Sequence, residues 1–557
     1  MLFQIPAFGA KPSRPKSPPR GRLKTAVCGL ALVCSSWLAT TPTVAQADDS
    51  EAFQRLLERV EAIERENAEL KRVVNTTAAT ASVAAPAPDS ETPAPPASGA
   101  PDEHIRRIVD VYLADRAATD KAVADEKAKT DLSMSASWNN GFEVQTKNKN
   151  FRVHVGGRTQ LDAGWYAVDN DVQNLAGGIS NKYQDGVDFR RARLRIDGTM
   201  YEQIDWAIEY DFVNSIRARN AAGTGTTDFD ATAFTDAWWA FKEVPVVGNI
   251  KIGNHKEAIG FEHLVSSRWQ PFMERSYNQD AFYGGSFNGF LPGISIYDTY
   301  DEEMGTWNLG LFKPTDNVFA VNANNGDYSV TGRVTRLLWY ECEGAELFHI
   351  GFSARQYQTV NDRVRFRTRD AIRTGVSVQW PVPADTGTLL ADHGQWLNTE
   401  VVGVHDAWTF QSEYLASFLQ NAGTTEANRN KDLYYQGGYA QVMYFLTGEH
   451  DHYSRKTGVF ERVIPRRNFR YMRTDPCACN DGWGAWQVGA RYDYLDLNSQ
   501  GVNGGELNNY TLGLNWFLNP NMKIQFNYTM TERNGPAAGS LGDGNIHGFG
   551  MRLAHDF

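Results

Sequence analysis

The sequence is poor in cysteine, in net positive charge and in long apolar runs. Of five cysteines in 557 residues, Cys28 and Cys34 fall in a leader-like segment, leaving Cys342, Cys477 and Cys479. A bridge from Cys342 to Cys477 or Cys479 is permitted in an oxidising compartment. Cys477-Ala-Cys479 has no second ligand pair at zinc-like spacing, so no metal is expected. No stretch after residue 47 approaches the roughly 18 apolar residues of a membrane-spanning helix. That excludes a helical membrane protein but not a membrane β-barrel, whose alternating strands average to a polar hydropathy. Gly-x-Ser-x-Gly, His-Glu-x-x-His and a phosphate-cradling Gly-rich loop ending in Lys-Ser/Thr are all missing, so neither an enzyme nor a cofactor is expected. His450 and His452, two apart, are read as chance placement. The formal charge of −11 argues against nucleic-acid binding.

Residues 1–47 carry a basic, proline-rich start, an apolar run over 25–40 and Ala45-Gln46-Ala47, and read as a signal peptide. Removing them takes away six Lys/Arg and no Asp/Glu, so the charge becomes −17. Attraction for anions must then come from local arrangement. In 48–74, Phe53, Leu56, Val60, Ile63, Asn67, Leu70 and Val74 step by three and four, the seam of a coiled coil. Residues 75–101 form an Ala/Pro-rich linker, and 102–140 a polar helical and linker segment.

From 141 to 557 the pattern has period two, with sixteen strands between Phe151 and Phe557. The links sort by length. Those at 167–187, 215–234, 257–292, 314–327, 358–395, 419–433, 498–507 and 532–545 are long. Those at 202–203, 244–248, 301–303, 340–346, 405 and 519–520 are short. Short turns at one end and long loops at the other mark a membrane barrel, and closure removes the open edge.

"DFRRARLRIDGTM" (188–200) sets Arg191, Arg193 and Arg195 opposite Ala192, Leu194 and Ile196. An arginine facing lipid near the bilayer centre costs about 2–4 kcal/mol. The arginines therefore face the lumen, and the same parity sends Arg152, Arg158, Lys251, Arg333, Arg491 and Lys523 inward. About half of such cations are expected to pair with wall carboxylates, namely Asp162, Asp197, Glu209 and Asp211.

"DFRRARLRIDGTMYEQIDWAIEYDF", "FTDAWWAFKEVPVVGNIKIGNHKEAIGFEHLVSSRWQPFMERS" and "GAWQVGARYDYLDL…LNWFLNPNMKIQFNYTMTERNGP" resemble the phosphate-selective porin O and P family over about 141–557. The resemblance implies an all-β, 16-stranded antiparallel transmembrane β-barrel in the bacterial outer membrane; the N-terminal coiled-coil arm, expected on the periplasmic side, is a departure from the family. The resemblance also implies a homotrimer that admits small anions, often phosphate or polyphosphate, along basic side chains. Phe557 resembles the signal read by the barrel-insertion machinery.

The resemblance gives two links a role. The third external loop, with Arg268 and Arg275 and with Lys256 at its root, would fold inward and narrow the pore. Residues 448–484, with Arg462, Arg466, Arg467 and Arg470, would fold inward from the periplasmic side. A solvated basic flap docking on a partner or on anionic cell-wall polymer is the other reading of that turn. The expected anion path is Arg158, Arg191, Arg193, Arg195, Lys251, Lys256, Arg268 and Arg275. The alternative function is an envelope tether that reaches cell-wall polymer through the arm, with non-selective pore activity.

Overall fold

In the computed structural model, the described residues are 100–557 except 174–182, 220–227, 284–288, 316–325, 375–380, 470–481 and 536–541, together with helical Arg65 and Arg72. The signal peptide, the coiled-coil seam, nearly all of the linker, Arg470, Cys477 and Cys479 lie outside them. Cys342 is exposed and has no disulfide partner among the described residues.

Residues 110–557 form one compact unit. Its sixteen barrel strands are β1 Phe151–Val168, β2 Gly186–Met200, β3 Ile204–Arg219, β4 Asp228–Val244, β5 Gly248–Lys256, β6 Phe290–Tyr300, β7 Gly305–Phe312 and β8 Ser329–Glu341, followed by β9 Glu346–Gln358, β10 His393–His405, β11 Trp408–Ala422, β12 Lys431–Phe445, β13 Ala485–Ser499, β14 Val502–Asn519, β15 Met522–Asn534 and β16 Gly544–Asp556. Each pairs antiparallel with its sequence neighbours, and β16 returns to β1 from Ile546↔Val168 to Asp556↔Arg158. Phe557 continues that pairing, its N–H and C=O both bonded to Gly157. Below β16's end, a hairpin of Met134–Trp138 and Phe142–Thr146 takes over the same edge of β1. A helix spans Ala100–Thr130.

Alternation explains which face each residue takes. In β15, Lys523, Gln525, Asn527, Thr529 and Thr531 are all buried. In β3, Glu209 and Asp211 have no exposure, while Ile208 and Phe212 lie open on the outer surface. An apolar outside and a polar inside is the inverse of a soluble sandwich, and it is what a lipid solvent requires.

The long links gather at one end and the short turns at the other, with 446–484 the exception on the short-turn side. One expected long loop is not long. Strands β13 and β14 run on to Ser499 and Val502, and a two-residue turn joins them. Gln500 (φ 40°) and Gly501 (φ 89°) take the left-handed conformation that such hairpin turns need. Polar residues at the outer rim keep pairing after the apolar alternation has faded.

Leu194 stands on the outer surface, 40 % exposed. Leu194→Arg is expected to cost about 2–4 kcal/mol of folding stability in bilayers, read as a lower urea midpoint for the compact, heat-modifiable band.

Candidate functional site: a cationic cavity behind the inward loop

The arginine strand β2 carries a bulge. Arg191 pairs with Gln160 and Phe189 with Leu161, leaving Arg190 as the extra residue. Val187 and Phe189 point outward on one side of the bulge, and Leu194 and Ile196 on the other. Arg190 and Arg191, adjacent in sequence, therefore both turn inward and are buried. Strict alternation would have sent Arg190 to lipid; the bulge was not visible in the sequence pattern.

The third external loop (257–289) crosses the lumen, with short helices at Phe261–Leu264 and Tyr277–Phe282. Its path is fixed from opposite walls. The Glu413 carboxylate on β11 accepts the Phe261 and Glu262 N–H groups at 2.9 and 2.7 Å, satisfying the start of the first helix. Asn527 on β15 accepts the Met273 N–H at 3.1 Å, and Lys523 donates to the Gln270 carbonyl at 2.8 Å. From β1, Arg158 donates to Ser267 Oγ at 2.7 Å and Gln160 to the Ser267 carbonyl at 3.1 Å.

Glu274 at the loop's far bend is surrounded by guanidinium groups. Arg190 lies at 2.8 Å, Arg552 at 2.9 Å, Arg373 at 3.2 Å and Arg191 at 3.8 Å. Burial alone would raise this carboxyl, but Arg190, Arg373, Arg191 and Arg552 hold it well below the usual carboxylate range. Nearby Glu262 is pushed up by burial, its strongest counterweight being Arg491 at 3.6 Å. Burial presses the Arg275 guanidinium down to about 10, and Arg275 donates to the Glu262 and Val265 carbonyls at 3.0 and 2.6 Å.

The described part of the turn after β12, residues 446–469, also folds into the barrel. Its hairpin of Tyr453–Ser454 and Val459–Phe460 packs against Phe261, Leu337, Leu347 and Val402. His349 links Tyr453 OH (2.7 Å) to Glu400 (3.0 Å), and Arg333 bridges Glu400 (2.6 Å) to the Gly458 carbonyl (3.0 Å). Arg462 reaches the Pro520 carbonyl and Asp556, while Arg466 and Arg467 are exposed.

Wall, loop and turn enclose a cavity of about 430 Å³. Arg158, Arg191, Arg193, Arg195, Lys251, Lys256, Arg268 and Arg275, selected from the sequence, all line it, with Arg333 and Lys456. Among the lining residues the carboxylates are Glu209, Asp236, Asp298 and Glu461.

Pairing in the lumen exceeds the expected half. Arg158 meets Glu209 at 2.6 Å, Arg193 meets Asp211 at 2.7 Å, Arg195 meets Asp236 at 2.9 Å, and Arg152, Arg333 and Arg491 are likewise bridged. A guanidinium this enclosed requires an acceptor, which its own strand, an adjacent strand or the next but one supplies. Lys251 and Lys456 differ: among the described residues their side chains make no hydrogen bond or ion pair. Lys251 Nζ instead stands 4.4 Å from the Trp238 ring centre and 5.2 Å from that of Tyr297.

The fifth external loop (359–392) was read only as a long link. It enters the barrel, where Phe366, Arg369, Asp370, Ile372 and Arg373 are buried. Arg355, Arg363, Arg365 and Arg367 line a smaller cavity of about 120 Å³ with Trp396 and Tyr357. The alternating arginines of "RVRFRTRDAIR" (363–373) were the signal available for it. Elsewhere, Glu346, His405 and Asp406 could together ligate a metal, but they sit at the short-turn rim with His405 and Asp406 exposed, and His405 Nδ1 already meets Glu346 at 2.8 Å.

Glu274→Ala would leave four guanidinium groups without their shared acceptor. The expected loss is about 3–5 kcal/mol, read as a lower denaturation midpoint, with higher single-channel conductance as the loop loosens. Because the Glu274 carboxyl is depressed, its contribution is full above about pH 4.3, the ordinary glutamate value, and is lost only as pH falls through the lower folded value. Conductance is therefore expected to hold steady down to about that pH and to rise only below it.

Residues 153–557 match the family model "Phosphate-selective porin O and P". Porin O of Pseudomonas aeruginosa is 26 % identical over 450 residues, covering 75 % of this chain and 91 % of that protein. An uncharacterized protein of Caulobacter vibrioides is 24 % identical over 551 residues, covering 96 % and 97 %. Among solved structures, the anion-selective porin from Comamonas acidovorans aligns with a TM-score of 0.38 at 10 % identity, covering 73 % of this chain and all of that one. The family match spans nearly the whole closed barrel, and the chain belongs to the phosphate-selective porin O and P family of outer-membrane porins.

Proposed function

We propose that this porin is a passive channel for small anions, phosphate and polyphosphate among them. The observation that carries the reading is the cavity: ten Lys/Arg side chains converge there against four carboxylates. An entering anion exchanges water for guanidinium and ammonium donors. The paired arginines hold the wall and loop in place and supply a standing positive potential. Lys251 and Lys456, without carboxylate partners among the described residues, supply donors that an anion can use and then leave. The smaller arginine-lined cavity on the external side collects anions ahead of the third loop. A homotrimer, on the family resemblance, and an N-terminal arm in the periplasm, on the heptad spacing, complete the proposal.

The test is the reversal potential in planar bilayers under a potassium chloride gradient. The double variant Lys251→Gln, Lys456→Gln is expected to shift it toward cation preference with the barrel still folded. An unchanged value removes these lysines from the path, and a cation-preferring native channel overturns the reading.

A further inference from the structure

The cavity is lined by more than charge. Three of its cations on β5 and on the third loop have an aromatic ring beside them. Lys251 stands over Trp238 and Tyr297, Lys256 over Phe290 at 5.5 Å, and Arg268 over Trp269 at 5.9 Å. Hydrated inorganic anions gain nothing from the face of an indole or phenol ring, which cannot replace the water they lose. An organic anion gains ring contact from the same face. The volume of about 430 Å³ also lies within the roughly 300–1,000 Å³ of sites that hold organic molecules.

The Trp238 ring is held in place. Its Nε1 donates to Asp236 Oδ1 at 3.1 Å, and the other oxygen of Asp236 accepts from Arg195 at 2.9 Å. Asp236 is thereby engaged with Arg195 and the indole, and Lys251 keeps its three donors for a ligand. Cation and ring are presented side by side on adjacent strands β4 and β5, whose register pairs Trp238 with Gly253 and Ala240 with Lys251. Gly253 (φ 129°) matters there, since a Cβ would lie 2.3 Å from the Ala237 carbonyl oxygen.

We propose that the cavity takes organic phosphomonoesters, with Lys251 holding the phosphate and Trp238 and Tyr297 holding a planar or apolar body. This deepens the anion-channel reading and rests on it. Trp238 and Tyr297 are then residues that determine which anions linger, while the arginines determine that the solute is an anion at all.

The test uses the full chain in planar bilayers with chloride electrolyte, adding inorganic phosphate or phenyl phosphate and recording the dwell time of current interruptions. Phenyl phosphate is expected to dwell about ten-fold longer than phosphate, the factor that about 1.4 kcal/mol of ring contact supplies. Trp238→Ala is expected to bring the two dwell times together, while Trp238→Phe retains most of the difference. Tyr297→Leu gives the same readout should the tryptophan variant not insert. Equal dwell times in the native channel, or a ratio that survives Trp238→Ala and Tyr297→Leu, overturn the proposal. Interruption by phosphate but not by phenyl phosphate sinks the organic-anion inference alone. Silence with both anions sinks the anion-channel reading with it.

Discussion

Hydrocarbon accepts neither an unpaired peptide group nor a guanidinium, and the rest of this structure follows from that refusal. The first prohibition closes sixteen strands into a ring, with β16 paired to β1 so that no edge is left in lipid. The second decides which side of each strand looks inward. Together they concentrate buried arginines, from Arg158 on β1 to Arg552 on β16, in the space inside the ring. Such a crowd of like charges is tolerable only with carboxylates among it, and β1, β3 and the third loop supply Asp162, Glu209, Asp211 and Glu274.

A division of labour results. The arginines that meet carboxylates at hydrogen-bond distance are parts of the wall: they fix the loop through Glu274 and the periplasmic turn through Glu400. Lysines carry a compact charge on a flexible stem and are more readily shared with a passing solute. Lys251, bounded by rings and not by carboxylates, is of that second kind. The lumen therefore combines a rigid electrostatic frame with a few adaptable donors.

Much of this was legible because period-two alternation is local. All sixteen strands, their inward parity and the sorting of loop lengths follow from it, as does the placing of Arg193 opposite Leu194. What the pattern could not give depends on contacts between distant segments. The bulge at Arg190 exists because β1 and β2 slip by one residue at Leu161, and its payoff, Glu274, is 84 residues away. The inward course of residues 366–373 depends on Arg369 meeting Asp280 on another loop. The turn at Gln500 was hidden because rim residues pair without alternating in polarity. The family resemblance, and not the alternation, pointed to the inward folding of the third loop and of 446–484.

The third loop leaves the chain after β5, yet several of its tethers sit on β14, β15 and β16: Asn515, Lys523, Asn527 and Arg552. The bore cannot acquire its narrow, charged waist while those last strands are still missing. A half-assembled sheet offers the loop no far shore to moor against. Filtering of solutes thus arrives in one step with ring completion, and an unfinished barrel would be a leak without preference.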